Sequence, residues 1–176
     1  MTRADSAPLL PDLLDEGLSV VFCGINPGVR AASTGHHFDG RGNRFWPVLH
    51  QAGFTPEQIA PENDRGILQY GYGLTTVVAR ATARADQLSR REIRAAAPAF
   101  EHKIEAYAPR YVALLGKMAF SAISDNKHPT WGLQSETFGS ARIWILPNPS
   151  GLNRGFSLDA LVSAYRELLL AVAIPY

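Results

Sequence analysis

The stretch Leu18-Ser19-Val20-Val21-Phe22-Cys23-Gly24-Ile25-Asn26-Pro27-Gly28 decides how the fold is read. Residues 18–25 are apolar on both faces of an extended chain, which suits a central parallel strand covered by helices on either side. The run stops abruptly at Asn26, between turn-forming residues. It therefore delivers one polar side chain to the rim of a sheet, where ligands of open α/β folds bind. A second stretch has the same design: Ile143-Trp144-Ile145-Leu146 followed by Pro147-Asn148-Pro149-Ser150-Gly151-Leu152-Asn153-Arg154. Two asparagines flanked by prolines or glycines at strand ends point to two rigid loops facing one pocket. For Asn26 alone, the competing reading is a turn residue that tolerates unusual backbone angles.

Bulk properties narrow the class. A chain of 176 residues with 46% hydrophobic content suits one well-buried α/β domain spanning 1–176, with residues 1–11 as a mobile lead-in. No run of 18 apolar residues occurs, and the first ten residues lack the layout of a secretory signal. The expectation is a soluble, cytoplasmic protein with no membrane partner. Cys23 is the only cysteine, so no intrachain disulfide can form and a reducing compartment fits. Net charge is +1, which argues against a basic, nonspecific nucleic-acid coat. A DNA partner would need local charge. Lysine occurs only at 103, 117 and 127; arginine, better shaped for bidentate contacts, occurs in loops at Arg30, Arg41, Arg44, Arg80, Arg84 and Arg154. Each of these meets DNA or simply solvates a surface.

Along the chain, residues 29–42 show no period and read as a functional loop. Asn43 caps a helix to about Ala52. Short helical pieces are expected at 56–59 and 62–70, and a second strand at 74–78. Residues 80–88 form a strand-end loop. Ser89 starts a long helix that Pro98 should kink or split. Residues 110–115 form strand three, followed by Gly116-Lys117 and a helix to about Ser124. Residues 125–137 read as a loop with a short extended piece near Trp131. Strand four is 142–146, and Ser157 caps a final amphipathic helix. Four apolar strands alternating with helices mean a three-layer α/β sandwich around a four-stranded parallel sheet.

The motifs Gly24-Ile25-Asn26-Pro27-Gly28 and Asn148-Pro149-Ser150-Gly151-Leu152-Asn153-Arg154 resemble those of the mismatch-specific uracil-DNA glycosylases, the branch that also holds thymine-DNA glycosylase. Gly42-Asn43-Arg44-Phe45-Trp46 and Leu115-Gly116-Lys117 extend the likeness from about Leu18 to about Leu168. The resemblance implies sheet order 2-1-3-4 and a monofunctional DNA glycosylase of base excision repair. Its substrate would be uracil in double-stranded DNA, best opposite guanine, and its action base flipping without metal or organic cofactor. It also implies that Phe38 stacks on the flipped base and that Asn148 lines the pocket. Gly151, Leu152 and Arg154, with Ser150 beside them, would form the wedge that enters the duplex and meets the widowed guanine.

The residues themselves suit that chemistry. Cleaving an N-glycosidic bond requires the base held out of the stack, the departing anion stabilised and one water placed under the sugar carbon. An amide at Asn26 orients water through its oxygen but does not titrate, so this enzyme should be slower than carboxylate-bearing members of the superfamily. Backbone amides of Ile25 and Phe38 are candidate readers of the uracil edge, with Gly28 in the same loop. Ala31, where many bacterial members of the family have a small hydroxyl residue, leaves thymine or exocyclic cytosine adducts open as further substrates. Asp86 is a second candidate catalyst if it reaches the sugar, and a surface carboxylate near the Ser89 helix if it does not. Lys117, opening a helix after a glycine, suits a DNA phosphate.

Other chemistries are poorly supported. The Gly-x-x-x-x-Gly-Lys and Gly-x-Gly-x-x-Gly spacings are missing. Cys23, His36 and His37 make a poor metal site without a second thiolate. No lysine in either motif loop offers a Schiff-base nucleophile, so strand cleavage is not expected. A monomer is expected, and a mismatch- or nucleotide-binding module that turns nothing over is the rival of another class.

Overall fold

The computed structural model describes residues 10–175. The lead-in expected at residues 1–11 lies outside them except at its end, where the Pro11 carbonyl accepts a 2.7 Å hydrogen bond from the His37 ring and is anchored. Five strands form one sheet: β1 (Val20–Gly24), β2 (Tyr72–Thr76), β3 (Tyr111–Leu115), β4 (Gly132–Phe138) and β5 (Ala141–Leu146), in spatial order β2-β1-β3-β5-β4. The first four partners in that order are parallel, as expected for the apolar runs. β4 is an addition. It pairs antiparallel with β5 at the sheet edge, with a bulge between Leu133 and Thr137. Its residues are largely exposed, so it carries no apolar run by which the sequence would reveal a strand.

Alternation along the strands builds the three layers. Val20 and Phe22 of β1, with Tyr111 and Ala113 of β3, face α2 (Phe45–Ala52) and α5 (Leu158–Val172). Val21, Cys23, Val112 and Leu114 face α3 (Arg90–Tyr107) and α4 (Lys117–Ser124). Phe22 is fully buried and meets the rings of Phe45, Phe54 and Tyr72 edge-on, with centroids 5.5, 5.3 and 6.2 Å away. Removing such a side chain costs about 3–5 kcal/mol. No described helix is long and apolar enough to cross a membrane.

Several local expectations are corrected. The 29–42 segment begins with a short helix, α1 (Val29–Thr34), closed by Gly35 in the left-handed region, whose N–H donates to the Ala31 carbonyl. Six residues are too few to show a period. Residues 56–59 are not helical; a 3-10 segment runs instead from Pro61 to Tyr70. The second strand lies two residues earlier than read. α3 passes through Pro98 as one helix, because Pro98 is on the exposed side, where the carbonyl it leaves unpaired is open to solvent. Asn43 acts through its Oδ1, which accepts from the Phe45 N–H at 2.9 Å, although Arg44 occupies the cap position.

Candidate active site

The parallel strands all end at one edge, and there a cavity of about 150 Å³ opens between the two motif loops. Ile25, Asn26, Gly28, Ala31 and Phe38 line one side of it; Asn148, Ser150 and Leu152 line the other. The sheet therefore brings together residues that are more than a hundred positions apart in the chain.

Asn26 is held in one orientation. Its Nδ2 donates to the Arg80 carbonyl at 2.8 Å and to Thr82 Oγ1 at 2.8 Å. Thr82 Oγ1 donates its own hydrogen to the Arg84 carbonyl at 2.7 Å, so toward Asn26 it can only accept. Both neighbours thus demand a donor, which fixes the amide nitrogen inward. The oxygen is left for the cavity side, with no partner among the described residues. Thr82 is itself buried and bonded through its N–H to the Pro27 carbonyl at 3.1 Å, tying the strand-end loop to the first motif. That loop is braced in turn by Arg80, whose guanidinium grips Glu92 at 2.7 and 2.9 Å.

In the same cavity lining, the Ile25 and Phe38 N–H groups have no acceptor among the described residues. Phe38 sits at φ 59°, a left-handed conformation unusual for an aromatic residue, and its ring stacks on Phe45 at 3.9 Å. The flanking chain holds it there: the His37 N–H donates to Asp64 at 2.8 Å, and the His37 carbonyl accepts from Trp46 Nε1 at 3.0 Å. Burial lowers the His37 pKa against the opposing pull of the Pro11 carbonyl and Asp64, so the ring at the cavity wall is neutral. Asp39 also lines the cavity. Partial desolvation alone would raise its carboxyl, but hydrogen bonds from Thr34 and Arg30 outweigh this and hold it below the usual range.

The second loop is fixed by polar groups beneath it. Asn148 Oδ1 accepts from the Ser150 N–H at 2.9 Å, leaving its Nδ2 without a partner among the described residues. Arg44, one of the loop arginines, turns inward: it donates to the carbonyls of Phe156 at 2.7 Å, Asn153 at 2.9 Å and Ser150 at 3.2 Å. Asn153 Nδ2 closes the loop on the Asn148 carbonyl at 2.9 Å. Gly151 is required by contact, since a Cβ there would stand 2.7 Å from the Gly42 carbonyl oxygen. On this fixed base, Leu152 is 65% exposed.

The sequence model of the Uracil DNA glycosylase superfamily matches residues 11–169. The chain belongs to that superfamily. In fold it is similar to the solution NMR structure of a candidate uracil DNA glycosylase from Methanosarcina acetivorans, with TM-score 0.59 and 19% identity over 93% of this chain and 98% of that one. Membership places it among DNA glycosylases, hydrolases that act on DNA.

Not every candidate glycosylase residue reaches the cavity. Asp86 does not line it; its carboxylate pairs with Arg84 Nε at 3.1 Å and is 68% exposed. Lys117 lies along the rim in a separate groove, its Nζ 4.4 Å from the Trp131 ring centroid. Arg30 and Arg80 are engaged by Asp39 and Glu92. Arg41 and Arg154, exposed, have no partner among the described residues and flank the Gly42–Gly151 contact. Cys23 is enclosed in β1, where burial pushes its thiol well up, and among the described residues no cluster of His, Cys, Asp or Glu could hold a metal.

Two residues that brace the cavity loops have little or no signal in the sequence. Thr82 is the single hydroxyl in an alanine- and arginine-rich segment, Ala79-Arg80-Ala81-Thr82-Ala83-Arg84-Ala85, and that isolation was its only signal. The loop-bracing role of Arg44 had none.

Proposed function

We propose that this chain is a monofunctional glycosylase of the mismatch-specific branch, releasing uracil from double-stranded DNA and acting best when uracil is opposite guanine. The observation that carries the reading is the polarity of the Asn26 amide, locked nitrogen-inward by Arg80 and Thr82 with its oxygen toward the cavity. In that orientation Oδ1 accepts a hydrogen from water and aims the water's lone pair at the anomeric carbon. The flipped uracil stacks on Phe38, while the unpaired N–H groups of Ile25 and Phe38 and the free Nδ2 of Asn148 meet its ring oxygens. Those donors stabilise the negative charge that the leaving base acquires. As the C–N bond breaks and the water oxygen bonds the anomeric carbon, the proton the water sheds passes to the departing uracil anion, directly or through solvent; Asn26 takes no proton, and none of the protein groups assigned to the step titrates near neutral pH.

Leu152 supplies the wedge. An exposed apolar side chain on a loop pinned by Arg44 and Asn153 fills the gap left by the flipped base and offsets part of a cost of a few kcal/mol. Mispaired uracil costs less to flip, which favours U opposite G without a contact to either base. Arg41 and Arg154 supply the local positive charge. No lysine lines the cavity, in keeping with hydrolysis that leaves the abasic strand intact. The Ala31 methyl, buried at the cavity wall, favours a broader range that includes thymine or cytosine adducts.

The test is an end-labelled duplex carrying one U:G, U:A, T:G or adduct pair, incubated with protein and run on a denaturing gel with and without hot alkali. Breakage only after alkali, fastest for U:G, is expected. No breakage in any lane would leave a mismatch-binding module in place of an enzyme, and breakage without alkali would refute the monofunctional assignment.

A further inference from the structure

The fold sorts the chain's three lysines. Lys103 Nζ lies 2.8 Å from Asp12 Oδ2 and is neutralised. Lys117 and Lys127 have no carboxylate partner among the described residues, and both line one open groove between the start of α4 and the loop that precedes β4. Arg90 and His128 line it as well; among the described residues no carboxylate does. The nearby Asp125 is already engaged by Arg94 and, at 3.7 Å, by Arg90.

The groove is joined to the glycosylase site. Lys117 Nζ rests on the Trp131 ring, a contact that positions an ammonium without cancelling its charge. Trp131 is 43% exposed and meets Phe156 edge-on at 5.4 Å, and the Phe156 carbonyl is one of the three that Arg44 holds in the Leu152 loop. A Cβ at Gly116, just before Lys117, would stand 3.8 Å from the Asn148 Cβ, so the start of α4 adjoins the second motif loop. The cations of this open groove, exposed at Lys127, match a polyanionic strand better than one small anion, which would be gripped by converging buried donors.

We propose that this groove carries the DNA phosphodiester backbone away from the lesion, with Lys117 and Lys127 each meeting a phosphate. The inference rests on the glycosylase reading. The experiment measures affinity for a duplex with guanine opposite 2′-fluoro-deoxyuridine, whose electron-withdrawing substituent resists cleavage, across 50 to 200 mM salt. Each phosphate contact contributes about 0.9 to the slope of log affinity against log salt. The double variant Lys117→Gln/Lys127→Gln should therefore lose about 1.8 from the slope, making its salt sensitivity over that range about tenfold smaller. Lys127→Gln alone should lose about half of that, and Lys103→Gln should keep the wild-type slope. Retention of the wild-type slope by the folded double variant overturns the groove. Uracil release from an ordinary U:G duplex by the wild type, run in parallel, separates the two claims: no release with a reduced slope would sink the glycosylase reading and leave the groove standing.

Discussion

Replacing Thr82 by Val keeps the side-chain shape and removes only the hydroxyl, so it tests whether the Asn26 amide must be locked. The structure gives the loss: the 2.8 Å bond that Thr82 Oγ1 accepts from Asn26 Nδ2, and the 2.7 Å bond it donates to Arg84. With one anchor left, the Arg80 carbonyl, the amide can swing and its oxygen spends less time aimed at the water. One neutral hydrogen bond is worth about 0.5–1.5 kcal/mol net. At about 1.4 kcal/mol per tenfold in rate, the chemical step should slow between about twofold and about tenfold. The assay is single-turnover uracil release with enzyme in excess, which separates the maximal rate from half-saturation. Thr82→Val should lower the maximal rate and leave half-saturation in place, whereas Thr82→Ser, which keeps the oxygen, should restore it. A folded Thr82→Val with the wild-type maximal rate would refute the argument. So would a Thr82→Ser as slow as Val.

Three further outcomes follow from the same contacts. Gly151→Ala puts a Cβ 2.7 Å from the Gly42 carbonyl oxygen, so the wedge loop must shift; uracil release from duplex should fall while release from single strands, where nothing is flipped out of a stack, is spared. Arg44→Lys keeps the charge but cannot span the carbonyls of residues 150, 153 and 156, and should lower stability by about 1–3 kcal/mol in urea unfolding. For His37 the sign of the pH effect is set by a folded pKa below the unfolded value of about 6.5. As pH falls below that value the unfolded chain gains a proton that the folded protein refuses. Stability is therefore lost from about pH 6.5 downward, and the decline should be smaller in His37→Gln when unfolding midpoints are compared at pH 7.5 and 5.5.

The parallel core was legible because β1 and β3 are buried on both faces, which forces continuous apolar runs such as Val20-Val21-Phe22-Cys23, and because β5, half-buried on one face, still reads Ile143-Trp144-Ile145-Leu146. Asn26 and Asn148 were legible for a related reason: a polar residue between turn-formers at the end of such a run has only the sheet rim to occupy. β4 was hidden because an exposed edge strand has no apolar pattern to show. The supports of the site were hidden by distance. Thr82 holds Asn26 across 56 positions and Arg44 holds Phe156 across 112, and hydrogen bonds between groups so far apart leave no periodicity or local spacing to read. Arginine in a loop looks the same in sequence whether it turns inward to carbonyls, as Arg44 does, or outward, as Arg154 does.

The central claim is that the Asn26 amide oxygen delivers the attacking water. Its most direct test is the single-turnover release of uracil from a U:G duplex by Asn26→Ala, alongside equilibrium binding of the same variant to that duplex. Losing the group that positions a reactant costs about a hundredfold or more. The account predicts such a drop in the maximal rate with binding kept near the wild-type level. A variant that binds and releases uracil at the wild-type rate would contradict it, because the water would then be placed by some other group.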